Sequence, residues 1–185
     1  MATPSTMLPL GTPVPPFALA DVSSGKMVTL DDFVGKSALL VMFVCNHCPY
    51  VVHVMGELGR LGRDYLPRGV GVLAINANSE VSHPEDGPAN MRALAEREGW
   101  AFPFVFDRTQ SVARSFDAAC TPDFFVFDRA RTLVYRGQLD DSRPRNGVPV
   151  TGRDLRAALD AVLEGTPVAA EQRPSIGCNI KWNLG

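Results

Sequence analysis

Two cysteines separated by two residues, Cys45 and Cys48, carry the most definite chemistry in this chain. They follow a run of large apolar residues in the stretch FVCNHCPYVV. Two thiols at this spacing can hold a zinc ion, form a structural disulfide or pass electrons by thiol–disulfide exchange. The choice among these uses depends on the elements that flank the pair.

The flanking residues place the pair between a buried strand and a helix. The run SALLVMFV at residues 37–44 is apolar from Ala38 onward and does not alternate with polar residues, which predicts a central strand covered on both faces. Because a helix start offers unpaired N–H groups and the positive end of the helix dipole, a cysteine there can have its pKa lowered from about 8.5 to about 3.5–7.5. We therefore predict that Cys45 is the attacking thiol, within reach of solvent, and that Cys48 resolves the mixed disulfide. The helix is indicated by apolar residues at helical spacing: Val51, Met55, Leu58, Leu61 and Tyr65.

His47 stands between the two cysteines. As an imidazolium it would stabilise the thiolate form of the pair and make the disulfide more oxidising. The alternative is a solvent-exposed histidine at a helix start, without a role. Pro49 lacks an N–H, so we expect an irregular first turn.

The rest of the chain alternates strands and helices, which predicts an α/β sandwich in one domain covering residues 1–185. In such a sandwich the functional residues lie at the carboxyl ends of parallel strands, where Cys45 stands. Residues 1–36 are interpreted as an N-terminal extension with a β-hairpin, and residues 166–185 as a C-terminal tail. The other predicted elements are a strand at 70–76, a helix at 88–98, an extended segment at 102–107, a short helix at 111–116, a hairpin at 124–137, and a helix capped by Thr151 and Asp154 and closed by Gly165.

Composition narrows the partners and the compartment. Among the 185 residues, 18 are Lys or Arg and 20 are Asp or Glu. Because basic and acidic residues are nearly balanced, we expect no broad basic face that could bind nucleic acid or an anionic membrane. Residues 1–25 contain no Lys or Arg and are interrupted by prolines, which is unlike a signal peptide and predicts a cytoplasmic protein. In a reducing cytosol, cysteines are more often catalytic, metal-binding or buried than joined in static disulfides.

The CNHC motif and three further segments resemble the thioredoxin-like superfamily. Thr121 and Pro122, which open TPDFFVFD, resemble the cis-proline segment that faces the dithiol in that superfamily. Residues 10–36 resemble the start of peroxiredoxins, and the tail PSIGCNIKW resembles that of a peroxiredoxin-like (AhpC/TSA-type) group bearing a CxxC motif. The resemblance covers nearly the whole chain. It implies a thioredoxin-like three-layer α/β sandwich with a central mixed sheet, and a redox-active disulfide.

The chain departs from this pattern where peroxiredoxins bind peroxide. Their PxxxTxxC spacing would put a proline at Ala38 and a hydroxyl at Met42, counted back from Cys45, and their late arginine has no evident counterpart. Leu39 stands where thioredoxins have a buried acid. Dithiol exchange is therefore favoured over peroxide reduction, and its proton must be carried by water or by another side chain. The candidates for that side chain are His47, Glu57 and Glu80.

Cys120 and Cys178 leave two interpretations open. Both can be small buried side chains without a role, or the docked tail can bring Cys178 to Cys120 as a second redox pair. A rival interpretation is a zinc site formed by all four cysteines. It is disfavoured because Cys120 and Cys178 do not form a second CxxC motif.

We therefore predict a thiol–disulfide oxidoreductase that uses no cofactor and no metal. Its partners are a protein or small-molecule disulfide and a dithiol reductant. The alternatives are a thiol-dependent peroxidase of the peroxiredoxin antioxidant type and a non-catalytic interaction module.

Overall fold

The computed structural model describes residues 2–184, which form ten strands and four α-helices. The strands are β1 (Ala2–Pro4), β2 (Ala18–Ala20), β3 (Met27–Thr29), β4 (Ala38–Phe43), β5 (Val70–Asn76), β6 (Phe104–Phe106), β7 (Cys120–Thr121), β8 (Asp123–Phe127), β9 (Leu133–Gly137) and β10 (Ile176–Asn179). The helices are α1 (Pro49–Tyr65), α2 (Pro88–Glu98), α3 (Ser111–Ser115) and α4 (Arg153–Glu164). None of the helices in residues 2–184 has the length and apolar character needed to cross a bilayer.

Five strands form the central sheet, in the order β6-β5-β4-β8-β9. Strand β4 is parallel to β5, and β5 is parallel to β6. Strand β8 is antiparallel to both β4 and β9, so the sheet is mixed, as predicted. Strand β4 is central, so its carboxyl end lies between the carboxyl end of the parallel strand β5 and the start of the antiparallel strand β8.

Alternate residues of β4 face two separate apolar cores. Leu40 and Met42 pack with side chains of α1, α2 and α4. Leu39, Val41 and Phe43 pack instead with α3 and with the N-terminal hairpin that β2 and β3 form. Successive side chains of a strand point to opposite faces, so the continuous apolar run gives a strand buried on both sides. The result is the expected three-layer sandwich.

The tail forms a second, smaller sheet with the N-terminus. Strand β10 pairs antiparallel with both β1 and β7, in the order β1-β10-β7. Strand β7 ends at Thr121, and the Thr121–Pro122 peptide is cis. The tail is thereby held against the segment that leads into β8, beside the end of β4.

Two helix starts differ from the sequence-based expectation. Helix α1 begins at Pro49, with Cys48 as its N-cap, instead of directly after Cys45. Proline suits the first helical position because the N–H it lacks would have no partner there. Helix α4 has Gly152 as its N-cap in a left-handed backbone conformation, so Thr151 does not cap it.

Candidate active site

Cys45 and Cys48 lie at the carboxyl end of β4, immediately before α1. Both side chains have no exposed surface, so the expectation that solvent reaches Cys45 is wrong. The reason is that the tail, the Thr121 segment and the loop after β5 close over this edge of the sheet. All four cysteines of the chain are free thiols in this structure.

Thr121 contacts both sulfur atoms of the pair. Its hydroxyl oxygen lies 3.4 Å from Cys45 Sγ. In its protonated form, Cys48 Sγ donates to the main-chain oxygen of Thr121 at 3.2 Å. The cis peptide to Pro122 follows directly, so Thr121 and Pro122 stand beside the dithiol, as the resemblance to thioredoxin-like proteins implied.

The two thiols differ strongly in acidity. A hydrogen bond from the Cys45 thiol lowers the pKa of Cys48 to about 4, and the Cys178 thiol acts in the same direction. The same hydrogen bond, together with burial and the nearby carboxylate of Asp86, raises the pKa of Cys45 well above its ordinary value. These directions are opposite to the expectation that Cys45 has the lowered pKa. Helix α1 starts at Pro49, and its first free N–H groups, those of Val51 and Val52, donate to the main-chain oxygen of Cys48 at 2.9 Å.

Asp86 is the carboxylate of the site. It is fully buried and accepts hydrogen bonds from the Asn46 N–H and the Asn78 side chain, each at 2.8 Å. Its Oδ2 lies 2.6 Å from His47 Nδ1, and ligand atoms of Cys45, His47 and Asp86 all lie within 4.8 Å of one another. His47 thus connects the buried carboxylate to the neighbourhood of Cys45 and is not an unpaired solvent-facing residue.

The other two carboxylates considered from the sequence are engaged elsewhere. Glu57 is buried and holds Arg60 and Arg156, each at 2.6 Å. Glu80 forms an ion pair with Arg108. Both are therefore committed to structural ion pairs, and Asp86 takes the place near the dithiol.

Cys178 and Cys120 occupy different surroundings. The register of β10 with β7 places Cys178 opposite Thr121, and Asn179 opposite Cys120. The two cysteines therefore belong to opposite faces of this ladder. Cys178 shares the face of Thr121 and packs against the apolar core that contains Cys48, which corrects the expected Cys120–Cys178 pair.

Two groups of potential metal ligands occur in residues 2–184: Cys45, His47 and Asp86, and His47, His83 and Glu85. Neither unites the four cysteines, so a four-cysteine zinc site does not fit this arrangement. In the first group, the 2.6 Å between His47 Nδ1 and Asp86 Oδ2 is a direct contact. A zinc ion bound to both atoms at about 2.0–2.2 Å in tetrahedral geometry would hold them farther apart.

Comparison with known proteins agrees with this architecture. The profile of the Redoxin family matches residues 9–155. The chain belongs to the Redoxin family. As a family member it is an oxidoreductase with a thioredoxin-like, AhpC/TSA-type fold. A curated relative, the thiol-disulfide oxidoreductase ResA of Halalkalibacterium halodurans, is 26% identical over 118 residues. That match covers 64% of this chain and 62% of the relative's length.

Two solved structures show how far this similarity extends. An uncharacterized conserved protein from Geobacillus kaustophilus is 56% identical, with a TM-score of 0.98 over 100% of this Redoxin-family chain and 98% of that one. A putative thioredoxin from Neisseria meningitidis is 22% identical, with a TM-score of 0.63 over 82% of this chain and 89% of that one. The first likeness covers the N-terminal strand and the tail as well, and the second shows the fold alone.

Sequence reasoning missed Asp86 and the partner of Cys178. One signal pointed to Asp86: it follows β5, whose carboxyl end lies beside that of β4 in the parallel pair. The loops after adjacent parallel strands meet at one edge of a sheet. Nothing comparable pointed to the pairing of the tail with β7.

Proposed function

We propose that this Redoxin-family chain is a thiol–disulfide oxidoreductase that works through the Cys45/Cys48 dithiol. The observation that carries the proposal is the placement of two free thiols between the carboxyl end of β4 and the start of α1, both in contact with Thr121, whose peptide bond to Pro122 is cis. A thiolate is the form of cysteine that attacks a disulfide. The printed name of the ResA relative supports the same class of reaction.

In this mechanism the Cys48 thiolate attacks one sulfur of the substrate disulfide. A new S–S bond forms to Cys48, and the other substrate sulfur leaves as a thiolate. Cys45 then gives up its proton and attacks Cys48, which releases the second substrate thiolate and leaves a Cys45–Cys48 disulfide. Two electrons pass from the protein to the substrate, and a dithiol reductant returns them.

His47 and Asp86 are proposed to carry the proton that Cys45 loses. Their side chains lie 2.6 Å apart beside Cys45. Because Asp86 raises the pKa of Cys45, it keeps that thiol protonated until the mixed disulfide has formed. The pair is thus placed to hold the resolving thiol in reserve and to take its proton afterwards.

Substrate access requires a movement, because neither sulfur is exposed. The groups that cover Cys48 are Thr121 and Cys178, which stand on the neighbouring strands β7 and β10. A protein or small-molecule disulfide would have to displace one of these strands to reach the thiolate. As compartment we propose the cytoplasm, where thiols are kept reduced.

Peroxide reduction is the second candidate. Met42 offers no hydroxyl, but Thr121 brings one to Cys45 from another strand, which corrects the expectation that the site lacks a hydroxyl. Within residues 2–184, the side-chain hydrogen bonds of Cys45 and Cys48 go to Thr121, and no arginine is among their partners to polarise a peroxide bond. We therefore expect slow peroxide consumption and faster disulfide exchange.

A turnover assay tests the proposal. Purified protein is supplied with dithiothreitol and either a protein disulfide or hydrogen peroxide, and the rates are compared. The proposal predicts disulfide reduction that is lost in Cys48→Ser. Peroxide consumption at the speed of a dedicated peroxidase would favour the second candidate, and no turnover of either substrate would favour a non-catalytic interaction module.

A further inference from the structure

We propose that Cys178 is a third redox-active thiol, which takes the disulfide from Cys45–Cys48 and presents it, as Cys48–Cys178, to an external dithiol reductant. The proposal deepens the proposed function and rests on it. The observation behind it is a row of three thiols around Thr121. Thr121 contacts the sulfur atoms of Cys45 and Cys48, and Cys178 lies opposite Thr121 on the neighbouring strand and packs against the same core.

The small sheet fixes Cys178 in this row. Strand β10 lies along β7 with Cys178 opposite Thr121, the residue that contacts both other sulfurs. Cys178 packs against the apolar core that contains Cys45 and Cys48. A Cβ atom at Gly177 would overlap the Thr121 carbonyl, so glycine at this position permits the close approach.

Exposure distinguishes the three thiols. Cys45 and Cys48 have no exposed surface, whereas Cys178 is half-buried. An external sulfur therefore meets Cys178 before it meets the other two. A disulfide held at Cys45–Cys48 is sealed, and a disulfide held at Cys48–Cys178 has one sulfur at the surface.

The transfer of the disulfide needs no external oxidant. Burial raises the pKa of Cys178 to about 11, so this thiol must first give up its proton, and the thiolate then attacks Cys48 Sγ in the Cys45–Cys48 disulfide. A Cys48–Cys178 bond forms, the Cys45–Cys48 bond breaks, and Cys45 leaves as a thiolate that takes up the proton Cys178 gave away. The number of thiols and disulfides is unchanged, and Cys45 ends as a protonated thiol.

Reduction then proceeds at the surface. A thiolate of the external dithiol attacks the Cys178 sulfur, and Cys48 leaves. A thiol of low pKa is a good leaving group in disulfide exchange, and Cys48 has a pKa of about 4. The second thiol of the reductant releases Cys178, so the reductant loses two electrons and the protein regains all its thiols.

The test maps disulfides in four proteins: wild type, Cys45→Ser, Cys178→Ser and Cys120→Ser. Each is oxidised with diamide, quenched in acid, alkylated and analysed by mass spectrometry for linked peptides. The proposal predicts a Cys48–Cys178 link in Cys45→Ser and a normal Cys45–Cys48 link in Cys178→Ser. Cys120→Ser is the matched control, because it changes a cysteine on the other face of the same ladder, and should behave as wild type.

A kinetic measurement completes the test. Reduction of the oxidised proteins by a thioredoxin is followed in a stopped-flow instrument, after circular dichroism has shown that each variant is folded. Loss of the exposed sulfur should slow reduction of Cys178→Ser about tenfold, since exchange depends on access to the attacked sulfur. Should Cys178→Ser prove unstable, Cys178→Ala takes its place.

The experiments give different results if this inference is wrong and if the proposed function is wrong. If Cys45→Ser leaves Cys178 free to be alkylated, or if Cys178→Ser is reduced as fast as wild type, Cys178 is not a redox thiol. In that case wild type still forms the Cys45–Cys48 disulfide. A wild-type protein that forms no such disulfide would overturn the proposed function itself.

Discussion

Cys48 and Cys120 are both fully buried cysteines, and they stand close in the fold with opposite acidities. The thiols of Cys45 and Cys178 lower the pKa of Cys48 to about 4. Burial, followed by the charge of Asp123, raises the pKa of Cys120. The comparison teaches that burial alone makes an inert thiol, and that donors aimed at the sulfur turn a buried thiol into a thiolate.

The carboxyl groups of the two regions repeat the contrast. Asp86, beside the dithiol, accepts hydrogen bonds from a main-chain N–H and an asparagine side chain and contacts His47. Both carboxyl oxygens of Asp123 lack a partner among residues 2–184, and burial raises its pKa well above the ordinary value. The surroundings of Cys48 and Asp86 supply hydrogen-bond donors to negatively charged groups. The surroundings of Cys120 and Asp123 favour the neutral forms of both side chains.

The largest expected effect is the difference in disulfide-reduction rate between variants of Cys48 and of Cys120. Cys48→Ser removes the thiolate and should slow disulfide reduction on the order of a thousandfold, because a hydroxyl is a far weaker nucleophile at neutral pH. Cys120→Ser should leave the rate within about twofold of wild type, since this thiol stays protonated. Both rates are measured with the same protein disulfide. Equal losses in the two variants would break the comparison.

A second prediction concerns the close packing of the tail strand β10 on Thr121, beside Cys48. Gly177→Ala places a Cβ against the Thr121 carbonyl, so it should destabilise the protein by about 1–3 kcal/mol, as overpacking does. It should also speed alkylation of Cys48, because β10 must move away from β7. Urea unfolding and alkylation rates give the two readouts.

Gly56→Ala is the matched control for Gly177→Ala. A Cβ at Gly56 meets only the end of the Arg60 side chain, at 3.7 Å. Alanine in a helix interior is favoured over glycine by about 1 kcal/mol, so this variant should be slightly more stable than wild type, with Cys48 alkylated at the wild-type rate. A Gly177→Ala protein as stable as wild type would show that the tail does not pack closely on Thr121.

The smallest effect is expected at Asp123. Its raised folded-state pKa means that this group favours the folded protein at pH below about 4 and disfavours it progressively as pH rises above that value. Asp123→Asn should therefore raise the free energy of unfolding at pH 7, because asparagine cannot ionise in the unfolded chain and so does not favour unfolding as the pH rises. The gain should vanish near pH 4 in urea titrations. A loss of stability at pH 7 would contradict the donor-poor description of this region.

Local patterns predicted most of the fold. The apolar run at 37–44 gave the double-sided burial of β4, and the spacing of apolar residues predicted α1, because both signals lie within one element. The CxxC motif and the Thr121–Pro122 segment were correctly expected to meet. The start of α1 was misjudged, although Pro49 itself favours the first helical position.

Long-range pairing produced the features that the sequence could not predict. Strands β1 and β10 have only three and four residues, too few for a period to be recognised. Their register decides whether Cys178 meets Cys120 or Cys48, and a shift of one residue exchanges the two faces. The acidity of Cys48 depends on the same register, because the Cys178 thiol helps to lower its pKa.

The central claim, that the charge of the dithiol resides on Cys48, is tested most directly by titrating the thiolate. The ultraviolet absorbance of the reduced protein is followed against pH in a Cys120→Ser background, and the same titration is repeated with Cys45→Ser added. The account predicts a thiolate with a midpoint at a pH of about 4, and a higher midpoint once the Cys45 donor is removed. A midpoint near the ordinary cysteine value of about 8.5, or one that Cys45→Ser leaves unchanged, would contradict it.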